Sequence, residues 1–319
     1  MSFDFDAAVS APFRMQPGLR RLASGAHQLT PMRPGSRHQR EKLAVLTAYP
    51  QQVMVSAEGF DPAPALDAVY RQAAQEHPSQ WSWDGERAVA QGLGVEVNRG
   101  QWRQAAPGTF GLGDEVARCL DGLPPAQRLP ALLALAFEED LAIVDGGTAT
   151  IPWICAALPS HWAPERKVGL PFAQVHAPVA DSQRLRAAGE HLMRLVCGPE
   201  RWERFVWNVT AHPRLHAHPE RVDPAGWTAD LLAAFPAQAW WRTERQTFIP
   251  VPGTSGQAVF TIHVEVAPLE TAIAHADHAA ALHAAIGSMS DAVLDYRNLC
   301  AVRPALLAWL AHRAGETAA

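Results

Sequence analysis

Histidine, arginine and tryptophan carry most of the chemistry this sequence offers. His176 stands in W-A-P-E-R-K-V-G-L-P-F-A-Q-V-H-A-P-V, residues 162–179. Leu170, Phe172 and Val175 predict a short buried helix leading into it. Pro178 closes the segment, because proline lacks an amide donor and pushes the residue before it out of helical geometry. A histidine so placed is either a packed structural side chain or a neutral imidazole that ligates a metal or a haem iron. His263 belongs to V-F-T-I-H-V-E-V, where alternation puts Thr261, His263 and Glu265 on one strand face and Phe260, Ile262 and Val264 on the other. Such a polar face meets solvent or a pocket. Arg242 and Arg245 bring guanidiniums suited to bidentate carboxylate contacts, or to plain surface charge. Trp207, Trp240 and Trp241, among eleven tryptophans, suit a pocket wall or an ordinary core.

Other groupings promise less. His212, His216 and His218 share a Pro-rich loop, and His275, His278 and His283 share a helix on which only His275 and His278 face the same way. Neither set has the carboxylate pairing of a recognised metal pattern, so both are expected in solvent. Cys119, Cys155, Cys197 and Cys300 form no C-x-x-C, which excludes zinc-ribbon, thioredoxin-type and covalent-haem signatures and predicts buried free thiols. G-T-F-G-L-G at 108–113 lacks the Lys-Ser/Thr ending of a phosphate loop and reads as turns. No Gly-x-Ser-x-Gly or zincin motif supports a hydrolase.

The elements that must position these residues follow from pattern. Residues 1–40, rich in Pro, Gly and Arg, predict an extended N-terminal arm, and residues 41–319 a single domain. Leu43–Tyr49 and Val53–Ala57 read as short strands, Pro64–Gln75 as a helix, and Trp81–Gly113 as loop. Helices are expected over Glu115–Leu120 and Ala126–Phe137. Asp140–Val144 and Thr148–Ala156, joined by D-G-G, give a hairpin. An amphipathic helix over Ser182–Val196 buries Leu185, Leu192, Met193 and Val196. Strands follow at Arg204–Thr210, Ala239–Val251 and Ala258–Ala267, then a helical tail broken near Gly287 and Pro304. The order β-β-α-β-β-β is that of a PAS domain. The fold class is therefore α+β: a PAS-like antiparallel five-stranded sheet with a helical crossover and additional N- and C-terminal helices.

The chain has 319 residues, 48% of them apolar and 18% charged, ample for a packed core. A net charge of -5 argues against nucleic acid as a partner. No apolar run approaches the ~20 residues of a membrane span. The acidic opening M-S-F-D-F-D is unlike a signal peptide, so a cytoplasmic protein is expected.

Several blocks, in order, resemble one family. They are P-F-R-M-Q-P-G-L at 12–19, E-E-D-L-A-I-V at 138–144, P-S-H-W-A-P-E-R-K-V-G at 159–169, V-H-A-P-V at 175–179, E-R-Q-T-F at 244–248 and V-F-T-I at 259–262. Together they resemble the haem-binding alpha subunit of the haem-dependent oxidative N-demethylase family, over about residues 10 to 300. The resemblance implies a PAS-like sheet holding haem b noncovalently and oxygen-dependent demethylation of a small secondary amine such as dimethylamine. It also implies partner subunits that bring NADPH, FMN, an iron–sulfur cluster and a folate site. On this resemblance His176 becomes the iron ligand; in a haem protein His263 would then be a catalytic donor to bound oxygen or a second axial ligand, and the side-chain chemistry of Arg242, Arg245 and Trp207 suits haem contacts. Two positions depart from the family: His263 replaces an arginine, and Val206 replaces the asparagine of an R-x-N-W block. The alternative is a PAS-like haem or gas sensor, or a haem carrier, without turnover. The chain shows no kinase, cyclase or DNA-binding output pattern, and no flavin or NADPH motif.

Overall fold

A computed structural model describes residues 3–180, 183–222, 226–253 and 256–315. In chain order its strands are β1 (Arg20–Arg21), β2 (Met54–Ser56), β3 (Trp81–Trp83), β4 (Arg87–Ala90), β5 (Val95–Asn98), β6 (Gln101–Gln104), β7 (Asp140–Asp145), β8 (Thr150–Cys155), β9 (Trp202–Thr210), β10 (Trp240–Pro250) and β11 (Gln257–Pro268). With the helices between them they make an α+β protein of two antiparallel sheets, ordered β1-β9-β10-β11-β7-β8-β2 and β3-β4-β5-β6. The five strands read from the sequence are β7 to β11, contiguous in the larger sheet. That sheet has seven strands rather than five, because β1 pairs with β9 and β2 with β8. Both outer strands satisfy backbone groups that a bare edge would leave open.

Two stretches differ from the sequence reading. Leu43–Tyr49 is the last half and C-cap of a helix, Arg37–Ala48, whose Ser36 side chain accepts from the Gln39 amide and whose Arg37 pairs with Glu41 one turn on. A short apolar run such as L-A-V-L does not by itself distinguish strand from helix. Trp81–Gly113, expected as loop, carries the whole second sheet. Its strands have only three or four residues, too few to establish a period, and β5 turns into β6 through Arg99 and Gly100, both at positive φ. The expected helix over 182–196 is two shorter ones, Gln183–Ala187 and Gly189–Val196. Met193 and Val196 are buried and Leu192 half-buried, while Ser182 and the Leu185 side chain lie outside the described residues. Cys119, Cys155 and Cys197 are buried as expected, but Cys300 is exposed. No helix among the described residues is long and apolar enough to cross a membrane.

Register assigns every strand residue to a face, since directly opposed residues project to the same side. Arg204, Val206, Glu244, Gln246, Ile262, Phe260, Ala142 and Ile154 share one face, called here the near face. Trp207, Arg245, Thr247, Thr261, His263 and Leu141 share the far face. The far face is sealed. Helix Ala63–Glu76 lies on β10 and β11, and Leu141, Ile143 and Val259 join the largest apolar cluster. Each such aliphatic side chain contributes about 1.5–3 kcal/mol by leaving water. Trp207, Val209 and Trp241 are covered by C-terminal helices Ala276–Gly287 and Arg303–Gly315 and by Phe5 and Phe13 of the N-terminal segment. Lys42, fully buried, bonds the carbonyls of Phe137 and Glu139 at 3.2 and 2.5 Å and pairs with Asp140 at 3.4 Å. That contact ties helix Arg37–Ala48 to the start of β7. The near face is covered less completely, by the crossover between β8 and β9, by the 211–222 loop after β9 at Arg242, and by Tyr296 and Arg297 of the C-terminal region at Arg204 and Asn208.

Candidate functional site

Cover on the two faces of β10 and β11 is unequal. Thr247 and Thr261, on the far face, are 1% and 0% exposed. Gln246 and Phe260, their immediate neighbours on the near face, stay half-buried although their strands lie inside the sheet. The crossover therefore covers this part of the near face incompletely, and the strip of half-buried residues between crossover and sheet is called here the cleft. Trp162, Val168 and Phe172 of the crossover, with Ile151 and Phe260 of the sheet, form its apolar wall, and all of them are half-buried.

His176 caps the one-turn helix Phe172–Val175 at the edge of this cleft. The helix is half-exposed rather than buried, as are Leu170, Phe172 and Val175, because the crossover lies over the cleft instead of packing into it. The imidazole stacks on Phe172 with ring centres 3.9 Å apart, and its Nδ1 lies 2.9 Å from the Phe172 carbonyl. A carbonyl only accepts, so Nδ1 carries the proton and Nε2 the lone pair. Among the described residues no hydrogen-bond partner reaches Nε2. Burial lowers the His176 pKa, with Arg204 and Lys167 adding to the effect, so the ring is neutral at physiological pH. Gly189 makes room for the stack. A Cβ there would come within 2.6 Å of the Phe172 ring.

A polar array occupies the β9–β10 side. The Arg242 guanidinium donates to Ser160 Oγ and to the carbonyls of Leu158, Pro159, Arg214 and Leu215 at 2.7–3.3 Å. Burial brings its pKa down to about 10, still charged at neutral pH. Ser160 also donates to Glu244, which accepts from Gln246 as well. Arg204 sits near Glu244 and Tyr296, burial holds its guanidinium below the ordinary value, and its Nε has no hydrogen-bond partner. His161 follows Ser160 with φ 61, a left-handed backbone held by its amide bond to the Ala217 carbonyl. A non-glycine residue in that region is worth a functional question, since the conformation costs about 1 kcal/mol or more. Its ring lies 5.2 Å from that of His212. Nδ1 of His161 and both ring nitrogens of His212 are buried without partners.

Burial, with Arg242 second, brings the pKa of both His161 and His212 down to about 4. In the unfolded chain each titrates near 6.5. Unfolding therefore takes up protons between these values. The stability contribution is complete above about pH 6.5 and is lost as pH falls through about 4. Urea unfolding from pH 7.5 to 4, at fixed haem occupancy, should show this decline, with a shallower one in His161→Asn/His212→Asn. Equal slopes in both proteins would show that the rings are solvated.

Of the residues singled out by sequence, His176 and Arg242 border the cleft. Arg245, Trp207 and His263 lie on the far face. Arg245 is bonded to Glu203 at 3.0 Å and to the His27 carbonyl, and Trp207 donates to the Ala8 carbonyl and stacks on Trp241. His263 is buried 3.0 Å from Glu138 and stacked on His38. Its strand face thus meets neither solvent nor the cleft at that point, because helix Arg37–Ala48 covers it. Burial acts to lower the His263 pKa, but the Glu138 hydrogen bond and neighbouring carboxylates raise it overall. Of the histidine loop expected in solvent, His218 is buried against Glu165, and His212 and His216 are half-buried, since the loop folds back onto the crossover. His275 is exposed, with His278 on the same side of the helix, while His278 and His283 are half-buried. Sequence reasoning missed Arg204, Glu244 and His161, which stood inside or beside blocks already marked, R-F-V-W, E-R-Q-T-F and P-S-H-W; His212 was singled out but expected in solvent, because nothing local shows that its loop folds back.

A family model described as haem-dependent oxidative N-demethylase, alpha subunit-like, matches residues 36–307. No curated protein matches the chain.

Proposed function

Because the chain belongs to the haem-dependent oxidative N-demethylase, alpha subunit-like family, we propose that its cleft holds haem b noncovalently and that the protein removes a methyl group from a small secondary amine. The observation that carries this is His176, whose Nδ1 is fixed on a carbonyl and whose neutral Nε2 is left free. A supporting hydrogen bond of this kind sets the tautomer and orientation of a metal-bound imidazole. The rest of the cleft fits the same group: an apolar wall, and two cations, Arg204 and Lys167, for anionic propionates. Strand order supports a PAS-like reading. Numbered within β7 to β11, the five strands run 2-1-5-4-3, with the helical crossover between the second and third.

His176 Nε2 would hold the iron, and Arg204 and Lys167 the propionates. When bound, haem supplies the activation of oxygen. Trp162, Val168, Phe172 and Phe260 exclude water from the reacting amine. His161 and His212 present neutral ring nitrogens that orient substrate or a proton-bearing group without adding charge. Arg242 does not touch the group; it fixes Ser160, and through Ser160 the backbone of His161. Val206 stands on the near face opposite Glu244, where the family has asparagine. An amide is lost from the cleft there, which favours an amine more apolar than dimethylamine. Electrons come from a partner reductase subunit with NADPH, FMN and an iron–sulfur cluster, and a folate-binding partner accepts the one-carbon product, all in the cytoplasm.

The haem-loaded chain should show a Soret band that shifts with dithionite and again with carbon monoxide. Reduced protein given oxygen and a secondary methylamine should release formaldehyde, whereas NADPH alone should drive no oxygen uptake. Ligand binding without any formaldehyde, across a panel of amines, would make the protein a haem sensor or carrier instead.

A further inference from the structure

On the far side of the sheet from the proposed haem cleft, we infer a second metal site: His38, Glu138, His263 and Glu265 form a four-ligand centre for a zinc-like divalent cation. The four come from three separate elements. His38 lies in helix Arg37–Ala48, Glu138 just before β7, and His263 and Glu265 two apart on β11, hence on one strand face. One ligand atom from each lies within 4.8 Å of every other. His263 Nε2 is 3.0 Å from Glu138 Oε2 and 3.6 Å from Glu265 Oε1, and His38 Nδ1 is 3.9 Å from Glu138 Oε2. Bonds of about 2.0–2.1 Å to a tetrahedral zinc place ligand atoms about 3.3 Å apart. Small side-chain movements close the set.

Three further features point to a cation. His38 Nε2 lies 2.7 Å from the Val264 carbonyl and must donate to it, so its lone pair is on Nδ1, the nitrogen turned toward Glu138. This is the supporting contact that metal-bound imidazoles usually have. Glu138 is 2% exposed, and its Oε1 is buried without a hydrogen bond. Its one cationic neighbour on that oxygen, Arg33 at 3.7 Å, has a side chain 79% exposed and free to swing away. Two neutral imidazoles and two carboxylates carry a charge that one divalent ion cancels, and nitrogen donors select zinc-like metals over magnesium or calcium. Binding displaces the proton shared by His263 and Glu138, which leaves to solvent. Glu265, with its side chain 49% exposed, provides the way in. Four protein ligands leave no open position, so the ion acts as a clamp between helix and sheet, not as a catalyst.

The test uses untagged, haem-loaded, full-length protein stripped with EDTA and dialysed against zinc chloride. One zinc per chain should be retained, magnesium should not compete, and Tm should rise by about 5 °C at saturating zinc. His38→Gln and His263→Gln should abolish binding. Glu265→Gln, at an exposed position, should fold with an unchanged metal-free Tm, bind zinc at least ~10-fold more weakly, and lose the Tm rise. No saturable binding by wild type would overturn the site. So would wild-type affinity in Glu265→Gln, or in a folded His38→Gln or His263→Gln, since the zinc would then sit on other histidines.

Discussion

Replacing His176 with alanine should strip haem from the protein. The ring offers a lone pair whose direction is set by the Phe172 carbonyl, 2.9 Å from Nδ1, and the stack on Phe172 restrains it further. Alanine removes the iron's protein ligand and leaves only the cleft wall and cationic contacts. Loss of a merely supporting partner weakens metal binding by about 10–100-fold, so loss of the ligand itself should cost at least ~100-fold. Haem titration followed at the Soret band gives the number. His176→Gly with added imidazole should recover much of the wild-type spectrum, which separates loss of a ligand from loss of fold. His191→Ala, at an exposed position, is the control and should leave the spectrum as it was. His161→Ala and His212→Ala should retain haem but alter carbon monoxide or cyanide affinity, since both rings pack beside Arg242 with buried nitrogens that have no hydrogen-bond partner. A His176→Ala protein with an undisturbed Soret band would move the iron ligand to one of those two.

Arg242→Met should be the most damaging single change to the architecture of the cleft. The residue is 2% exposed, and its guanidinium meets four carbonyls and one hydroxyl. Methionine fills similar volume but leaves those acceptors buried and unpaired, each at about 1 kcal/mol or more. Removing one partner from a buried charged network typically costs about 3–5 kcal/mol, and the upper end is expected here. Ser160 loses its donor, and the left-handed backbone at His161 loses part of what holds it. Chemical unfolding should register the stability loss, and haem ligand affinity should shift even where the protein remains folded. Arg242→Lys should recover little, because an ammonium does not reproduce the planar fork. Stability within about 1 kcal/mol of wild type for Arg242→Met would show that water replaces the guanidinium.

Much of the frame is legible in local pattern. D-G-G between two apolar runs specifies the β7–β8 hairpin, and long alternating segments specify β9 to β11, because strand period and turn chemistry depend on neighbours in sequence. The same is true of His176 as a helix-ending residue before a proline. Ordered blocks from 138 to 262 carry enough side-chain identity to resemble the family that the match over 36–307 shows. Alternation alone also puts Arg242 and Arg245 on opposite faces of one strand, three residues apart. Which of those faces opens onto a cleft is another matter, because it depends on where the crossover and the N-terminal helices come to rest. His263 meets Glu138 across 125 positions, and Arg242 meets the Ser160 hydroxyl and the 158–159 and 214–215 carbonyls from over 25 positions away. Those partners decide whether a buried charge is a cofactor contact, a structural clamp or a metal ligand. Burial and hydrogen-bond satisfaction are properties of the packed layers, and only the tertiary structure sets them.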